Sequence, residues 1–447
     1  MFFGSRVAPL PSSFRRADLP LVRSHDILDP QHAARRIKLT IYRPGTGLNL
    51  RHPSQIPLSV FLLLVVGYTA VAPNFDQPFI NYGFASAVIF LFVVPSRSWT
   101  WIVTIAAAVA FGIFHAFIPR FANTATQSVS LYAGLLGRGA LAALGLTAIW
   151  TTPKESPRLL RIFLLPLGII SFVLASLLAL NLTVATHSRV LDFYLYIFDG
   201  SLGFQPSFLF GRLLLRHKLF AEFVRTAYFA LPVFIGLACA GYLRYRTPWR
   251  PLAILASAGV LGYLLYFVFP ATGPLYVAGA SFPNSPHPFA ALRQVHPHSI
   301  ALSVPVPRNA IPSLHMAWAL LLCFNSRPFS RTVRGLALAY VLLTIVGTLG
   351  TGEHYLADLA VAFPFSVAVQ AGWTHCQPLH RNALTAAAAS LTLMWLALLR
   401  YGSNLFLVSP AVPWGCILVS TIASLLLLRQ LRSRERANVD PPEPAGT

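Results

Sequence analysis

Charge is what this 447-residue chain has least of: 11% of its residues are Asp, Glu, Lys or Arg, against about 25% in a soluble domain. That scarcity excludes an ordinary soluble fold and, with 55% hydrophobic residues and a mean hydropathy of +0.63, points to a chain solvated mostly by lipid. Acidic residues are the scarcest of all, 13 against 34 Lys and Arg, for a net charge of +21. The basic excess does not gather into one stretch but falls in short segments between apolar runs. This is the signature of membrane topology rather than of a nucleic-acid partner, so none is expected. Cysteine is rare too: Cys239, Cys323, Cys376 and Cys416 stand apart, with no CxxC pair. Neither a disulfide framework nor a cysteine zinc site is expected. The first fifty residues are too basic and too poor in apolar runs for a cleavable signal peptide.

What is present is a series of apolar runs long enough, or nearly so, to cross a bilayer. They lie near Pro57–Ala72, Phe79–Val94, Trp99–Ile118, Ser128–Trp150, Leu159–Leu182 and Leu219–Leu243. Further runs follow near Pro251–Phe269, Ile311–Phe324, Val333–Leu349, Tyr355–Trp373, Ala383–Leu399 and Val412–Leu428, twelve in all. The expected fold is an all-α polytopic membrane protein with about twelve transmembrane helices. Residues 1–56 carry nine Lys/Arg against three Asp and read as a basic, unstructured cytoplasmic tail. The tail 429–447 reads as a disordered cytoplasmic end. Threading from an inside N-terminus puts most basic linkers on the cytoplasmic side and leaves the C-terminus there as well. Arg212, Arg216 and Lys218 fall outside and run against the rule.

Two stretches bring chemistry to this apolar frame. Pro312-Ser313-Leu314-His315 and Gly352-Glu353-His354-Tyr355-Leu356-Ala357-Asp358 each stand where a polar loop enters an apolar run, on the non-cytoplasmic side of the threading. On a helix His354 and Asp358, four residues apart, share a face. The carboxylate can then hold the Nδ1–H of the imidazole and leave Nε2 as base or nucleophile. Ser313 and the amides after it form a helix start, a place that favours anions. Arg308 lies five residues before Ser313 and can add a bidentate clamp. Two histidines, a carboxylate and an anion-binding helix end suffice for phosphoryl transfer without a metal.

Pro-Ser-x-His followed about forty residues later by His-x3-Asp resembles the type 2 phosphatidic acid phosphatase (PAP2) superfamily. The wording Arg308-Asn309-Ala310-Ile311-Pro312-Ser313-Leu314-His315 with His354-Tyr355-x2-Asp358 is most similar to the branch of inositolphosphorylceramide synthases and their bacterial relatives. The resemblance covers roughly Leu159 to Trp373 and implies a catalytic core of six helices at 159–373. Four added helices (57–150) would precede it and two (383–428) would follow. It implies that His354 attacks phosphorus and forms a phosphohistidine, that Asp358 orients it, and that His315 protonates the leaving alkoxide. Ser313 and Arg308 would hold phosphate oxygens. The substrate implied is a phospholipid or lipid phosphate, with water or a lipid or polyol acceptor, at the outer face of the cell membrane. No cofactor and no metal are implied.

The chain departs from the wider family. It lacks the Lys-x6-Arg-Pro motif, and Thr348 stands where an arginine precedes the second histidine. Charge neutralisation is then left to Arg308, Arg189, Arg212, Arg216 or Arg293. Asp192–Arg212 reads as a re-entrant or interfacial hairpin, in which Asp192 or Asp199 serves either a hydroxylated acceptor or the turn itself. Arg138 sits inside an apolar run with no evident carboxylate partner. His287, His296 and His298 crowd one loop without Glu or Cys at ligand spacing, so loop histidines are expected rather than zinc ligands. A twelve-helix secondary transporter is the alternative. Such carriers place their long central loop inside, whereas the longest segment here, Ala271–Ala310, is threaded outside.

Overall fold

In the computed structural model the described residues are 77–94, 98–116, 125–150, 155–245, 247–286, 289–292, 294, 296–302 and 304–439. The basic arm 1–56, the first apolar run Pro57–Ala72, His287 and Arg293 lie outside them. From Phe79 onward every apolar run read from the sequence forms helix over most of its described residues. The longer helices are α1 (Pro78–Leu91), α2 (Ser98–Ala116), α3 (Ala125–Trp150), α4 (Ser156–Thr186), α5 (Asp192–Ser201), α6 (Pro206–Arg216) and α7 (Lys218–Phe229). They continue as α8 (Leu231–Tyr242), α9 (Trp249–Val268), α10 (Leu314–Asn325), α11 (Arg331–Gly350), α12 (Leu356–Gly372), α13 (Pro378–Tyr401) and α14 (Ala411–Val439). Two short strands, β1 (Arg189–Val190) and β2 (Ile300–Ala301), pair antiparallel and tie the segment after α4 to the long segment before α10.

Among the described residues six helices are long and apolar enough to cross a membrane, or seven with the bent pair α7 and α8 taken as one span. This is an integral membrane protein. Four shorter apolar helices, α1, α2, α10 and α12, complete the bundle. With twelve residues α10 reaches only about 18 Å, well under the ~30 Å hydrocarbon core. It packs against α9, α11 and α12, with none of its residues exposed.

Two runs differ from their reading in sequence. Leu219–Leu243 is not one straight helix: α7 and α8 meet at Ala230 with a bend of 52°. Pro232, which has no N–H to give the ladder, sits in the first turn of α8. The stretch after Leu428 is not a disordered end up to Val439, because α14 runs through it. Its Arg, Gln, Leu and Glu residues are good helix formers, and Glu435 lies 3.7 Å from Arg250. Residues 440–447 fall outside the described set.

Tight helix contacts in lipid need small residues, and α3 supplies them. A Cβ on Gly137 would lie 2.2 Å from the Phe84 carbonyl of α1. One residue on, Arg138 is buried, donates from both terminal nitrogens to Asn81 Oδ1 (3.2 Å each) and lies 4.3 Å over the Phe84 ring. This answers the missing carboxylate: an amide oxygen and an aromatic face hold the guanidinium and lock α3 to α1.

Candidate functional site

The first histidine is set by backbone chemistry at the head of α10. Ser313 is the N-cap, and its hydroxyl accepts from the Met316 N–H at 3.4 Å. His315 therefore starts the helix with its ring stacked on Tyr228, centroids 3.9 Å apart at 20°. Tyr228 Oη lies 3.0 Å from His315 Nδ1, while Nε2 is buried with no protein partner among the described residues. Tyr228 stands in the last turn of α7, just before the bend. No local pattern in the sequence marks that residue.

The second motif differs from its reading as a helical i, i+4 pair. His354 precedes the helix: Tyr355 is an extended N-cap, and Asp358, at the third helical position, accepts from the Tyr355 N–H at 2.8 Å in a capping box. The pair still meets, with Asp358 Oδ2 at 3.3 Å from His354 Nδ1. A nearer partner is the Ala310 carbonyl, 2.9 Å from the same nitrogen. A carbonyl can only accept, so Nδ1 carries the proton and Nε2 is left with its lone pair. The two motifs are stitched together as well, since the Ser313 N–H donates to the Asp358 carbonyl at 3.2 Å.

A second layer of contacts holds the His354 loop. Ser207 of α6 donates to the His354 carbonyl (2.8 Å). Asp199 of α5 accepts from the Leu356 and Ala357 N–H groups (2.8 and 3.1 Å), capping α12 from another helix. Asp192 accepts from the Thr272 and Gly273 N–H groups and from Tyr355 Oη. Both aspartates thus take the turn-and-cap role of the two weighed for them, and neither lines the cavity described below. Asp192–Arg212 holds two helices, α5 and most of α6, joined by a turn at Gly203, whose φ is +95°.

Gly273 is where the second layer can be broken most cleanly. Its φ of 120° and ψ of 158° lie in a region that only glycine occupies readily, and an added Cβ would meet the Glu353 carbonyl oxygen at 2.4 Å. Gly273→Ala is expected to cost at least about 1–3 kcal/mol from backbone strain and to displace the neighbouring His354. A thermal melt in detergent together with turnover should show both falling. A variant with wild-type melting and activity would contradict this.

Burial pushes the Asp192 carboxyl up to about 6 and the Asp199 carboxyl up to about 8, from an ordinary 3.8, against the pull of the N–H groups they accept. A carboxyl whose folded pKa exceeds its unfolded one holds its proton more tightly when folded. Stability is therefore greatest below the unfolded value and declines as pH rises to the folded one. Melting temperature should accordingly fall between about pH 4 and pH 8. Asp199→Asn keeps an acceptor for one amide and should flatten the upper part of that slope. An unchanged slope would contradict the assignment.

His315 and His354 line one cavity of about 220 Å³. Its remaining wall includes six aromatic residues, Phe79, Tyr228, Phe229, Tyr263, Tyr266 and Trp318. Asn309 and Glu353 add polar atoms, and Tyr276 donates to Glu353 Oε1 at 3.0 Å. Burial raises the Glu353 carboxyl above its ordinary value. Glu353 adjoins the motif histidine in sequence, which is the one signal that could have drawn attention to it.

Asp358 and Ser313 stand behind this cavity, not in its wall. Arg308 is also outside it: its guanidinium donates to the carbonyls of His187, Val304 and Val306, and its backbone N–H to Thr183 Oγ1. No Lys or Arg among the described residues lines the cavity. Arg189 is bonded to Ser299, Arg212 reaches the Pro283 carbonyl, and Thr348 bonds back to Thr344. Among the described residues no three His, Cys, Asp or Glu side chains gather as a metal site. His296 and His298 are exposed on their loop.

Neither the curated proteins nor the solved structures returned a match to this chain. A family model does match: residues 194–372, from within α5 to the last residue of α12, fit the PAP2 superfamily, whose members are generally phosphatases.

Proposed function

We propose that this protein is a membrane phosphatase or phosphotransferase acting on a phospholipid or lipid phosphate through a phosphohistidine at His354. One observation carries the reading: both motif histidines open into the same small cavity, and His354 is held with Nδ1 protonated. In the first step His354 Nε2 attacks phosphorus, the P–O bond to the leaving group breaks, and His315 gives its Nε2 proton to the departing oxygen. In the second, the oxygen of water or an alcohol attacks phosphorus, the P–N bond to His354 Nε2 breaks, and His315 takes up the acceptor's proton, so that both histidines are regenerated. Asp358 stabilises the positive charge that His354 gains on phosphorylation, because its carboxylate lies against Nδ1. Ser313 supports this chemistry as the cap that sets the head of α10, and Arg308 as the brace of the loop leading to it.

The motif wording around His315 and His354 supports the inositolphosphorylceramide-synthase-like branch, and with it transfer to a lipid or polyol acceptor over simple hydrolysis. The apolar runs support about twelve spans, and the charge threading supports both termini in the cytoplasm and the site on the opposite face of the cell membrane. The domain reading follows: a six-helix core at 159–373 with added helices before and after it. A secondary transporter is not favoured, since both cavity histidines, His315 and His354, fall within the family match. The test is to incubate purified protein with labelled phospholipids and lipid phosphates, with and without inositol or ceramide, and to weigh the products. A released headgroup or phosphate, or its adduct with the acceptor, is the expected result. Vesicle uptake without turnover would overturn the reading.

A further inference from the structure

The cavity is larger than the family segment. The match begins at residue 194, yet the wall facing His315 is built partly from residues before it. Gln77, Pro78 and Phe79 come from the head of α1, and Ser176, Leu177 and Leu180 from one face of α4. The Phe79 ring centroid lies 5.9 Å from that of His315, so this outer wall stands directly against the catalytic ring.

Its chemistry is uncharged and mainly apolar, with the Gln77 amide and the Ser176 hydroxyl as its polar groups. Phe79, Leu177 and Leu180 offer no charge, and Ser176 turns its hydroxyl back to the Phe172 carbonyl at 2.8 Å. At about 220 Å³ the cavity is smaller than the ~300–1,000 Å³ of ligand sites that enclose a whole molecule. It has room for a phosphate and the atoms bonded next to it, with the rest of the substrate outside. The wall is firmly docked. Pro78 presets the first turn of α1, and Asn81, two residues beyond Phe79, is held by Arg138. α4 is fixed on the other side, where Thr183 accepts from the Arg308 backbone.

We propose that the Gln77–Phe79 turn and the Ser176–Leu180 face of α4 determine specificity: they select phosphoesters whose ester oxygen carries an apolar lipid root over water-soluble phosphoesters. The inference rests on the function proposed above. It adds that selection is exercised by helices outside the family segment, packed onto the catalytic histidine.

The experiment uses the full chain in mixed micelles, with dioleoyl phosphatidic acid and glycerol 3-phosphate as paired substrates. In Phe79→Ala and Leu180→Asn the ratio of kcat/KM, lipid over soluble, is expected to fall at least about tenfold, one lost well-packed contact. In parallel, affinity for a non-hydrolysable phosphonate lipid should fall by a similar factor relative to inorganic phosphate. Elution as a folded monodisperse species, with melting near the wild type, qualifies each variant, and Leu177→Phe serves if one of them fails to fold. Ratios unchanged within twofold in both assays would overturn the proposal. Absence of any turnover by the wild type would instead sink the proposed function, while phosphonate binding would still report on the wall.

Discussion

Replacing His354 by alanine is expected to abolish turnover, with a loss of at least about four orders of magnitude in kcat. No nearby group can substitute, because the nucleophile must both line the cavity and be held with a free Nε2. Ala310 and Asp358 hold only this imidazole in that way. Stability should change much less, since His354 precedes α12 and the caps of that helix are Asp358 and Asp199. The measurements are turnover of the substrate found in the product-mass experiment and thermal melting of the same preparation. A His354→Ala protein with more than about a hundredth of wild-type activity would remove the phosphohistidine from the account.

Asp358→Asn is expected to lower kcat by about two orders of magnitude. The size follows from what each partner of His354 does. The Ala310 carbonyl, nearer at 2.9 Å, already fixes the proton on Nδ1 and survives the substitution. Asparagine keeps an oxygen for the Tyr355 N–H, so the capping box persists in part and melting should shift by only a few degrees. What is lost is the negative charge that offsets the positive imidazole formed on phosphorylation. Near-normal turnover would mean that the carboxylate serves the helix cap alone. Unfolding of the variant would mean that the cap outweighs the chemistry.

The parts of this arrangement that were legible in sequence are those fixed by short-range rules. Apolar runs became helices because lipid leaves the backbone no other way to satisfy its N–H and C=O groups. The Pro-Ser-x-His and His-x3-Asp spacings placed both histidines at helix heads, and the head of α10 and the loop before α12 do share a cavity. Less legible was the local boundary at His354. Asp358 captures the Tyr355 N–H and so ends the helix one residue after the histidine, replacing a helical i, i+4 contact by a cap geometry of similar reach.

Contacts between distant segments were not legible. Asp199 caps a helix more than a hundred and fifty positions away, as the separation of 157 to Leu356 shows, and nothing near Asp199 announces that partner. Arg308 has a suitable side chain for phosphate, but the turn of its own loop gives it the Val304 and Val306 carbonyls first. Tyr228 meets a ring 87 positions away, and Phe79 depends on the docking of α1 against α3 through Gly137 and Arg138. The break at Ala230 was not read from the sequence either, although Pro232 offers a local signal for it.

The central claim is that His354 and His315, brought from two helices, act on a single phosphorus atom in the cavity between them. Its most direct test is the structure of the protein with orthovanadate, which adopts the five-coordinate shape of the transferring phosphoryl group. The account predicts vanadium bonded to His354 Nε2, with an apical oxygen on the opposite side within about 3 Å of His315 Nε2. Vanadate bound away from this cavity, or seated in it against only one of the two imidazoles, would contradict the account.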